Sequence, residues 1–261
     1  MIPTPPLHHI TSGDGPPVIL LHGIAASHHD WDTYIPPLVA AGYKVFALDL
    51  PGHGDSPKPD HPPFYRAESV YSQVEQWIAS LGLSQPPLLL GHSLGGYMSL
   101  RYAQCHPNEV GGLALIDPFY SIRQVSPFLR LGSRVPRLGA QAYRLLPEWM
   151  IYTALHLAPM NRDRCSGDIR RQVARDCKRA SPHVLHIPNS TLDLTSHLPF
   201  IGAKTLVIWG DKDPTLRPGS FPPLVRLMPN ASGRPVRGSG HQPHIGRPDI
   251  VFPLVLDFFK S

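Results

Sequence analysis

The chain has 261 residues, of which 42% are hydrophobic and 16% are charged, which suits one large domain with an insertion and a sizeable core. Its formal net charge of +5 is concentrated in one stretch, because residues 118–197 hold twelve Lys and Arg against five Asp and Glu. A nucleic-acid-binding protein that is basic throughout would not show this distribution, so we expect no nucleic-acid partner.

The three cysteines are Cys105, Cys165 and Cys177, an odd number without the spacing of a metal site, which favours a reducing compartment. The first residues lack the basic and apolar regions of a secretory signal. No apolar run reaches about 18 residues, the length that a membrane span needs. These patterns predict a cytoplasmic location without stable membrane insertion.

Short apolar runs recur along the chain, and each is followed by Gly, Asp or His. They cover residues 18–21, 45–48, 88–90, 113–116 and 206–209. Runs that are apolar on both faces are typical of strands covered on both sides. Helix-length segments lie between or after them, at residues 67–81, 94–105 and 251–259. The alternation predicts a mostly parallel sheet with helices on both faces and with reactive groups at the carboxyl ends of its strands.

The alternation stops between Asp117 and about Phe200, where no strand is evident. Apolar residues there mix with arginines at helical spacing: Leu129, Leu131, Leu138, Tyr143, Leu145, Leu146, Trp149 and Met150. We interpret residues 118–198 as a helical cap inserted into a core formed by residues 1–117 and 199–261. The alternative is a set of ordinary surface helices.

The strongest chemical signal is Gly91-His92-Ser93-Leu94-Gly95, which matches G-x-S-x-G between an apolar strand and a helix. In this motif the serine lies in a tight strand-to-helix turn, where the glycines avoid steric clashes. The turn exposes the hydroxyl, and the amino end of the following helix favours the anion that forms during attack. Ser93 is therefore the candidate nucleophile.

This motif and four others, in the same order, resemble the α/β-hydrolase superfamily over nearly the full length of the chain. The others are His22-Gly23-Ile24, the sequence Asp-Leu-Pro-Gly-His-Gly-Asp-Ser at residues 49–56, Gly210-Asp211-Lys212-Asp213-Pro214 and Gly238-Ser239-Gly240-His241. The resemblance implies an α/β-hydrolase fold with an inserted helical cap. It also implies an enzyme that needs neither a metal nor an organic cofactor.

A serine hydroxyl is a poor nucleophile until a base takes its proton. The resemblance implies that this base is His241, since the family's catalytic histidine directly follows the last glycine of the motif, with His244 as a local competitor. The acid that orients the histidine would be Asp213, and Asp117 and Asp211 remain as alternatives.

By the same resemblance, the backbone N–H groups of Ile24 and Leu94 would form an oxyanion hole. Losing one such donor typically costs about 2.7–4 kcal/mol of transition-state stabilisation. His22 and Gly23 would support the loop that carries one of these donors, without taking part in the reaction.

The family pattern also bears on the loop of residues 49–56 and on the amino-terminal segment. The loop of residues 49–56 is usually structural in this family, and His53 within it is a less favoured second base. Relatives usually begin with two antiparallel strands, whereas here only residues 7–10 could form one, because prolines at three of the first six positions disfavour an earlier strand. We expect the sheet to be one strand short at that edge.

The identity of the nucleophile limits the classes of reaction that the protein could catalyse. Relatives that open epoxides or displace halide carry aspartate at the elbow, and carbon–carbon bond hydrolases often carry asparagine where this chain has His92. The resemblance therefore implies a serine hydrolase that cleaves a small-molecule carboxylic ester through an acyl-serine intermediate. We expect the cap to select the substrate, and its Leu, Tyr, Trp and Met residues indicate an apolar acyl part. Three alternatives remain open: a thioesterase or esterase whose basic cap binds anionic or carrier-linked acyl compounds, a carbon–carbon bond hydrolase, and a non-enzymatic ligand receptor.

Overall fold

The computed structural model of the protein describes residues 6–126, 130, 136–157 and 166–261. The strands are β1 His9–Ser12, β2 Pro17–Leu21, β3 Lys44–Leu48, β4 Leu88–His92, β5 Gly112–Ile116, β6 Thr205–Gly210 and β7 Ala231–Val236. They form one sheet in the order β1-β3-β2-β4-β5-β6-β7. β1 is antiparallel to β3, and the other neighbouring strands are parallel. The predicted mostly parallel sheet is confirmed.

Successive side chains of the central strands pack on opposite faces of the sheet, into two separate apolar clusters. In β2, Ile19 and Leu21 belong to one cluster, and Val18 and Leu20 belong to the other. All four are fully buried. A strand covered by helices on both faces needs apolar residues at consecutive positions, which is why the five predicted runs all lie within β2 to β6.

The described part of the chain has nine α-helices, which lie against the sheet or in the stretch between β5 and β6. They are α1 Ile35–Ala40, α2 Ala67–Ser80, α3 Leu94–Cys105, α4 Pro136–Leu145, α5 Glu148–Leu157, α6 Gly167–Arg179, α7 Phe221–Leu227, α8 Pro243–Gly246 and α9 Pro248–Lys260. Residues of α2, α3 and α7 contribute to one apolar cluster, and residues of α1 and α9 to the other. The three helices predicted from the sequence correspond to α2, α3 and α9.

The amino-terminal edge consists of β1, which begins two residues later than predicted. Residue His8 does not join the ladder, because its N–H donates to Ser56 Oγ at 2.9 Å and its carbonyl accepts from Asp49 N at 2.9 Å. The ladder with β3 starts with His9 opposite Leu48. From residue 6 onwards no strand precedes β1, so the described part of this edge has the single strand that the sequence predicts.

The stretch between β5 and β6 holds α4, α5, α6 and several short 3-10 helices, and no strand among its described residues. Of the apolar residues assigned to a cap, Leu145, Trp149 and Met150 are 81%, 67% and 42% exposed, so they lie on the surface and do not form a buried lining. Leu129, Leu131 and Cys165, and the side chain of Leu138, lie outside what the structure describes. The boundaries of the cap, residues 118–198, stay a prediction.

Each helix in the described residues is too short or too polar to span a lipid bilayer.

Candidate active site

Ser93 lies in the turn between β4 and α3, with a backbone φ of 48° and ψ of −108°. A positive φ is strained for any residue with a side chain. The turn is also tight: a Cβ on Gly91 would lie 2.6 Å from the carbonyl oxygen of Gly95, and a Cβ on Gly95 would lie 2.0 Å from that of Leu21. The strand and the helix therefore approach each other more closely than larger residues permit.

Hydrogen bonds on both sides of Ser93 hold this conformation. Its backbone N–H donates to the carbonyl of Ile116 at the end of β5, at 3.0 Å, and its carbonyl accepts from Phe119 N, also at 3.0 Å. The serine is 6% exposed. The elbow is thus fixed by its neighbour strand as well as by its own glycines.

The structure brings Ser93, His241 and Asp213 together. The Nε2 atom of His241 lies 2.9 Å from Ser93 Oγ, and its Nδ1 atom lies 2.7 Å from Asp213 Oδ2. The three residues follow β4, β7 and β6, so they meet at the carboxyl edge of the sheet. Because a carboxylate only accepts hydrogen bonds, Nδ1 carries the proton, and the Nε2 lone pair faces the serine hydroxyl. This arrangement can take a proton from Ser93.

Asp213 is held by its own loop. Its Oδ1 atom accepts hydrogen bonds from the backbone N–H groups of Thr215, at 2.7 Å, and Leu216, at 3.0 Å. These contacts leave Oδ2 free to face His241. The carboxylate therefore has a fixed orientation before it meets the imidazole.

The two alternative acids have other partners. Asp117 is fully buried, and its Oδ1 atom accepts from Gly210 N at 3.0 Å. Burial, and then the charge of Asp213, raises the pKa of Asp117 well above its ordinary value. Asp211 accepts from Gly238 N at 2.7 Å, as a residue that shapes a turn would.

The competing histidine, His244, is fully buried, and neither of its ring nitrogens has a hydrogen-bond partner among the described residues. Its Nε2 atom lies 3.9 Å from Asp30 Oδ2, beyond hydrogen-bonding distance. The contact with Ser93 is made by His241, as the motif predicts.

The loop of His22 and Gly23 lies against the nucleophile. A Cβ on Gly23 would come within 3.4 Å of Ser93 Cβ. Both ring nitrogens of His22 are occupied, since Nδ1 donates to the carbonyl of Gly23 at 2.7 Å and Nε2 accepts from Leu50 N at 2.9 Å. Burial lowers the pKa of His22, which keeps the ring neutral in this bracing position. The oxyanion-hole role of Ile24, next in this loop, and of Leu94 stays a prediction.

The loop of residues 49–56 is organised by the buried carboxylate of Asp49. It accepts from the backbone N–H groups of His28 and Asp55, each at 2.8 Å, and contacts the rings of His8 and His28 at 2.8 and 3.0 Å. Burial acts to raise the pKa of Asp49, but the hydrogen bonds from the His28 ring and from the backbone N–H groups of Asp55 and His28 hold it well below its ordinary value. The carboxylate is an ionised structural anchor.

His53, the less favoured second base, is also fully buried. Its Nδ1 atom bonds to the carbonyl of Pro51 at 3.0 Å, and its ring lies against that of His22. Burial lowers the pKa of His53 to about 3. Its side-chain hydrogen bond stays within its own loop, which fits a structural role.

Three groups of His and Asp side chains in the described residues bring potential metal ligands within 4.8 Å of one another: His8 with His28 and Asp49; His92 with Asp117 and His241; and Asp30 with His92 and His244. Hydrogen bonds account for the first group, and the second includes the histidine that contacts Ser93. In the third group, Asp30 Oδ2 lies 4.0 Å from His92 Nδ1 and 3.9 Å from His244 Nε2. These distances are longer than the roughly 3.3 Å that separates two ligand atoms of a tetrahedral zinc ion.

The comparisons with known proteins agree with this architecture. A family model described as the alpha/beta hydrolase fold matches residues 16–154, just over half of the chain. The chain belongs to the alpha/beta hydrolase fold family. This membership confirms the resemblance carried by the motifs, and it supports hydrolase activity as the general class of reaction.

This alpha/beta hydrolase is 27% identical over 252 residues to a pimeloyl-[acyl-carrier protein] methyl ester esterase of Neisseria meningitidis, covering 94% of this chain and 93% of that protein. It is 36% identical over 123 residues to the bifunctional epoxide hydrolase 2 of Sus scrofa, covering 46% of this chain but 22% of that protein, so the match spans about a fifth of that relative's length. The solved structure of an esterase (EaEST) from Exiguobacterium antarcticum superposes with a TM-score of 0.84 over 98% of this chain and 96% of that chain; at 20% identity, this likeness shows the fold alone.

The sequence motifs assign no role to His92 or Asp30. The structure places His92 Nε2 2.8 Å from the carbonyl oxygen of His241, and Asp30 beside His92 and His244. The sequence feature that could have pointed to His92 is its position directly before Ser93. Asp30 lies in no motif, and its proximity follows only from the fold.

The tight elbow leads to a first prediction. Replacing Gly95 by alanine should lower the free energy of unfolding by about 3 kcal/mol, because the new Cβ meets the backbone of Leu21, which cannot move aside as a side chain can. Urea unfolding followed by circular dichroism measures the change. Gly202→Ala is the matched control, since a Cβ there meets nothing within 4 Å. Equal stability of the two variants would contradict the prediction.

Proposed function

We propose that this alpha/beta hydrolase is a serine hydrolase that cleaves carboxylic esters through an acyl-serine intermediate. The observation that carries the proposal is the series of contacts from Ser93 Oγ to His241 Nε2, at 2.9 Å, and from His241 Nδ1 to Asp213 Oδ2, at 2.7 Å. His241 takes the hydroxyl proton as Oγ attacks the carbonyl carbon. Asp213 keeps the imidazole in the required tautomer and stabilises the cation that forms.

The reaction then proceeds in two halves. The tetrahedral oxyanion is stabilised by the backbone N–H groups of Leu94 and Ile24, and it collapses as the ester C–O bond breaks and His241 returns the proton to the leaving alcohol. In the second half, His241 takes a proton from water as the water attacks the acyl carbon, and it gives that proton to Ser93 Oγ as the acid is released. Both halves use the same three side chains.

The serine favours acyl transfer over the chemistry named for some relatives. A serine that opened an epoxide or displaced a halide would be left as an ether, which resists hydrolysis, whereas an acyl-serine is an ester that water can cleave. Apolar residues are among the neighbours of the nucleophile: Leu94 follows it, Ile24 lies in the adjacent loop, and the backbone N–H of Phe119 donates to its carbonyl. These neighbours favour esters with an apolar acyl part.

The proposal predicts that wild-type protein hydrolyses p-nitrophenyl esters and that Ser93→Ala reduces kcat by at least about 10⁴-fold, because the covalent route is lost. Initial rates of wild type and Ser93→Ala, measured on p-nitrophenyl esters of graded acyl length, test both statements. Ser99→Ala, on the helix that follows Ser93, is the control and should stay within about tenfold of wild type, because its hydroxyl donates to the helix carbonyl of Gly95. A wild type that is inert at every acyl length would count decisively against an esterase.

The two carboxyl groups near His241 give a sharper comparison. Asp213→Asn should lower kcat by about 10⁴-fold, because an amide favours the wrong imidazole tautomer and cannot stabilise the cation. Asp117→Asn should change kcat by less than about tenfold, because His241 Nδ1 is bonded to Asp213 and the amide oxygen at residue 117 still accepts from Gly210 N. Steady-state kinetics of the two variants on one ester decide the assignment. The reverse ranking would make Asp117 the acid.

A second candidate function is hydrolysis of anionic or carrier-linked acyl esters, with basic residues between β5 and β6 binding the anion. It is favoured by the near full-length similarity to an esterase whose name specifies an acyl-carrier-linked methyl ester. It is also favoured by the excess of basic residues in that segment. Arg171 and Arg175 on α6 are 54% and 58% exposed, and their contacts with Asp168 and Glu148 are surface pairs that contribute little to stability.

This second function predicts that Arg171→Ala/Arg175→Ala lowers kcat/KM for a carrier-linked acyl methyl ester by at least about tenfold, and that added salt does the same in wild type. Turnover of a small neutral methyl ester should change by less than about twofold. Arg226→Ala/Arg234→Ala removes the same charge outside the segment and serves as the control. Equal losses on both substrates would exclude a binding role for the arginines.

A further inference from the structure

His92 lies where three parts of the candidate site meet. It directly precedes Ser93, and a Cβ on Gly23 would lie 2.7 Å from its Nδ1 atom, so its ring also packs against the loop of the expected oxyanion hole. Its Nε2 atom lies 2.8 Å from the carbonyl oxygen of His241. A carbonyl only accepts hydrogen bonds, so Nε2 carries the proton and donates it.

We propose that His92 is a positioning residue, which holds the main chain of His241 so that the imidazole of His241 stays between Ser93 and Asp213. This inference rests on the proposed roles of those three residues in ester hydrolysis. His92 itself does not touch the substrate or exchange a proton in the reaction.

The carbonyl of His241 has few other means of restraint. Among the described residues, the backbone of His241 makes the hydrogen bond with His92 and no other. The loop before it is tied at Ser239, whose carbonyl accepts from Lys212 N at 2.9 Å, and α8 begins after it at Pro243, which has no N–H to donate. The carbonyl of the next residue, Gln242, accepts from Ile245 N and Gly246 N, but the main chain of His241 itself is held by His92.

The surroundings of His92 make its hydrogen bond specific. The residue is 2% exposed, and its ring lies between those of His241 and His244, with centroids 5.0 and 4.3 Å away. Water cannot compete for the bond in this buried position. Burial, and then repulsion by His244 and His241, lowers the pKa of His92 well below its ordinary value, so the ring is neutral and keeps one donor nitrogen. That donor faces the carbonyl of His241.

Loss of this contact should act on kcat more than on KM. A displacement of about 1 Å of a catalytic group can cost on the order of 10²-fold in rate, although binding of the substrate is hardly changed. A residue that only stabilised the fold would instead reduce the number of active molecules, with unchanged kcat for those that remain. Counting active sites separates the two effects.

The test uses three substitutions of His92 in the full chain. His92→Phe keeps the ring without a donor, His92→Asn has an amide too short to reach the carbonyl of His241, and His92→Gln has an amide of about the reach of Nε2. His244→Phe is the matched control, because His244 is equally buried and neither of its ring nitrogens has a hydrogen-bond partner among the described residues. Labelling of Ser93 by a fluorophosphonate, taken to its endpoint, counts the active sites.

We expect kcat per labelled site on a p-nitrophenyl ester to fall about 10- to 100-fold in His92→Phe and His92→Asn, with KM within about threefold of wild type. His92→Gln should restore kcat to within about fivefold of wild type, and His244→Phe should stay in the same range.

If His92→Phe does not fold, the comparison of His92→Asn with His92→Gln is sufficient to test the positioning role. Wild-type kcat in His92→Asn, or an equal loss in His244→Phe, overturns the positioning role only. A wild type that neither labels nor hydrolyses esters overturns the proposed function and this inference together.

Discussion

The positive φ of Ser93 is the constraint on which the rest of the site depends. A non-glycine residue in this region costs about 1–3 kcal/mol and persists only where the surroundings enforce it. Here the enforcement comes from two directions. The backbone of Ser93 bonds to Ile116 at the end of β5 and to Phe119 beyond it, and glycines at 91 and 95 let α3 lie directly against β4 and β2. The strained turn points the hydroxyl out of the sheet, where loops from other strands can reach it.

The loops that carry Asp213 and His241 contact each other directly through their backbones. A Cβ on Gly210 would lie 2.0 Å from the carbonyl oxygen of Gly240, so the end of β6 and the segment before His241 touch without intervening side chains. The N–H of Lys212 donates to the carbonyl of Ser239 across the same gap. Because β6 and β7 are neighbouring parallel strands, Asp213 and His241 leave the sheet side by side. The 2.7 Å contact between acid and imidazole is thus a consequence of strand order and of small residues at the strand ends.

Much of this could be predicted from the sequence, since apolar runs reveal buried parallel strands and their ends reveal where side chains gather. The motifs also indicated Ser93, Asp213 and His241, which the structure brings together. Helical spacing between β5 and β6 indicated helices, but it could not show that Leu145 and Trp149 face solvent, because the outward face of a helix depends on what the helix packs against. Contacts made by side chains distant in sequence, such as those of His92, depend on loop geometry that no local pattern encodes.

The loop around Asp49 connects this site to the helical segment between β5 and β6. Its ionised carboxylate fixes His28, and the next residue, His29, contacts Asp176 on α6 at 3.1 Å. The same loop presents the carbonyl of Gly52, which accepts from Ser181 N at 2.8 Å just after α6. The helical segment therefore contacts two loops that meet at one buried carboxylate, and this carboxylate lies outside the reaction.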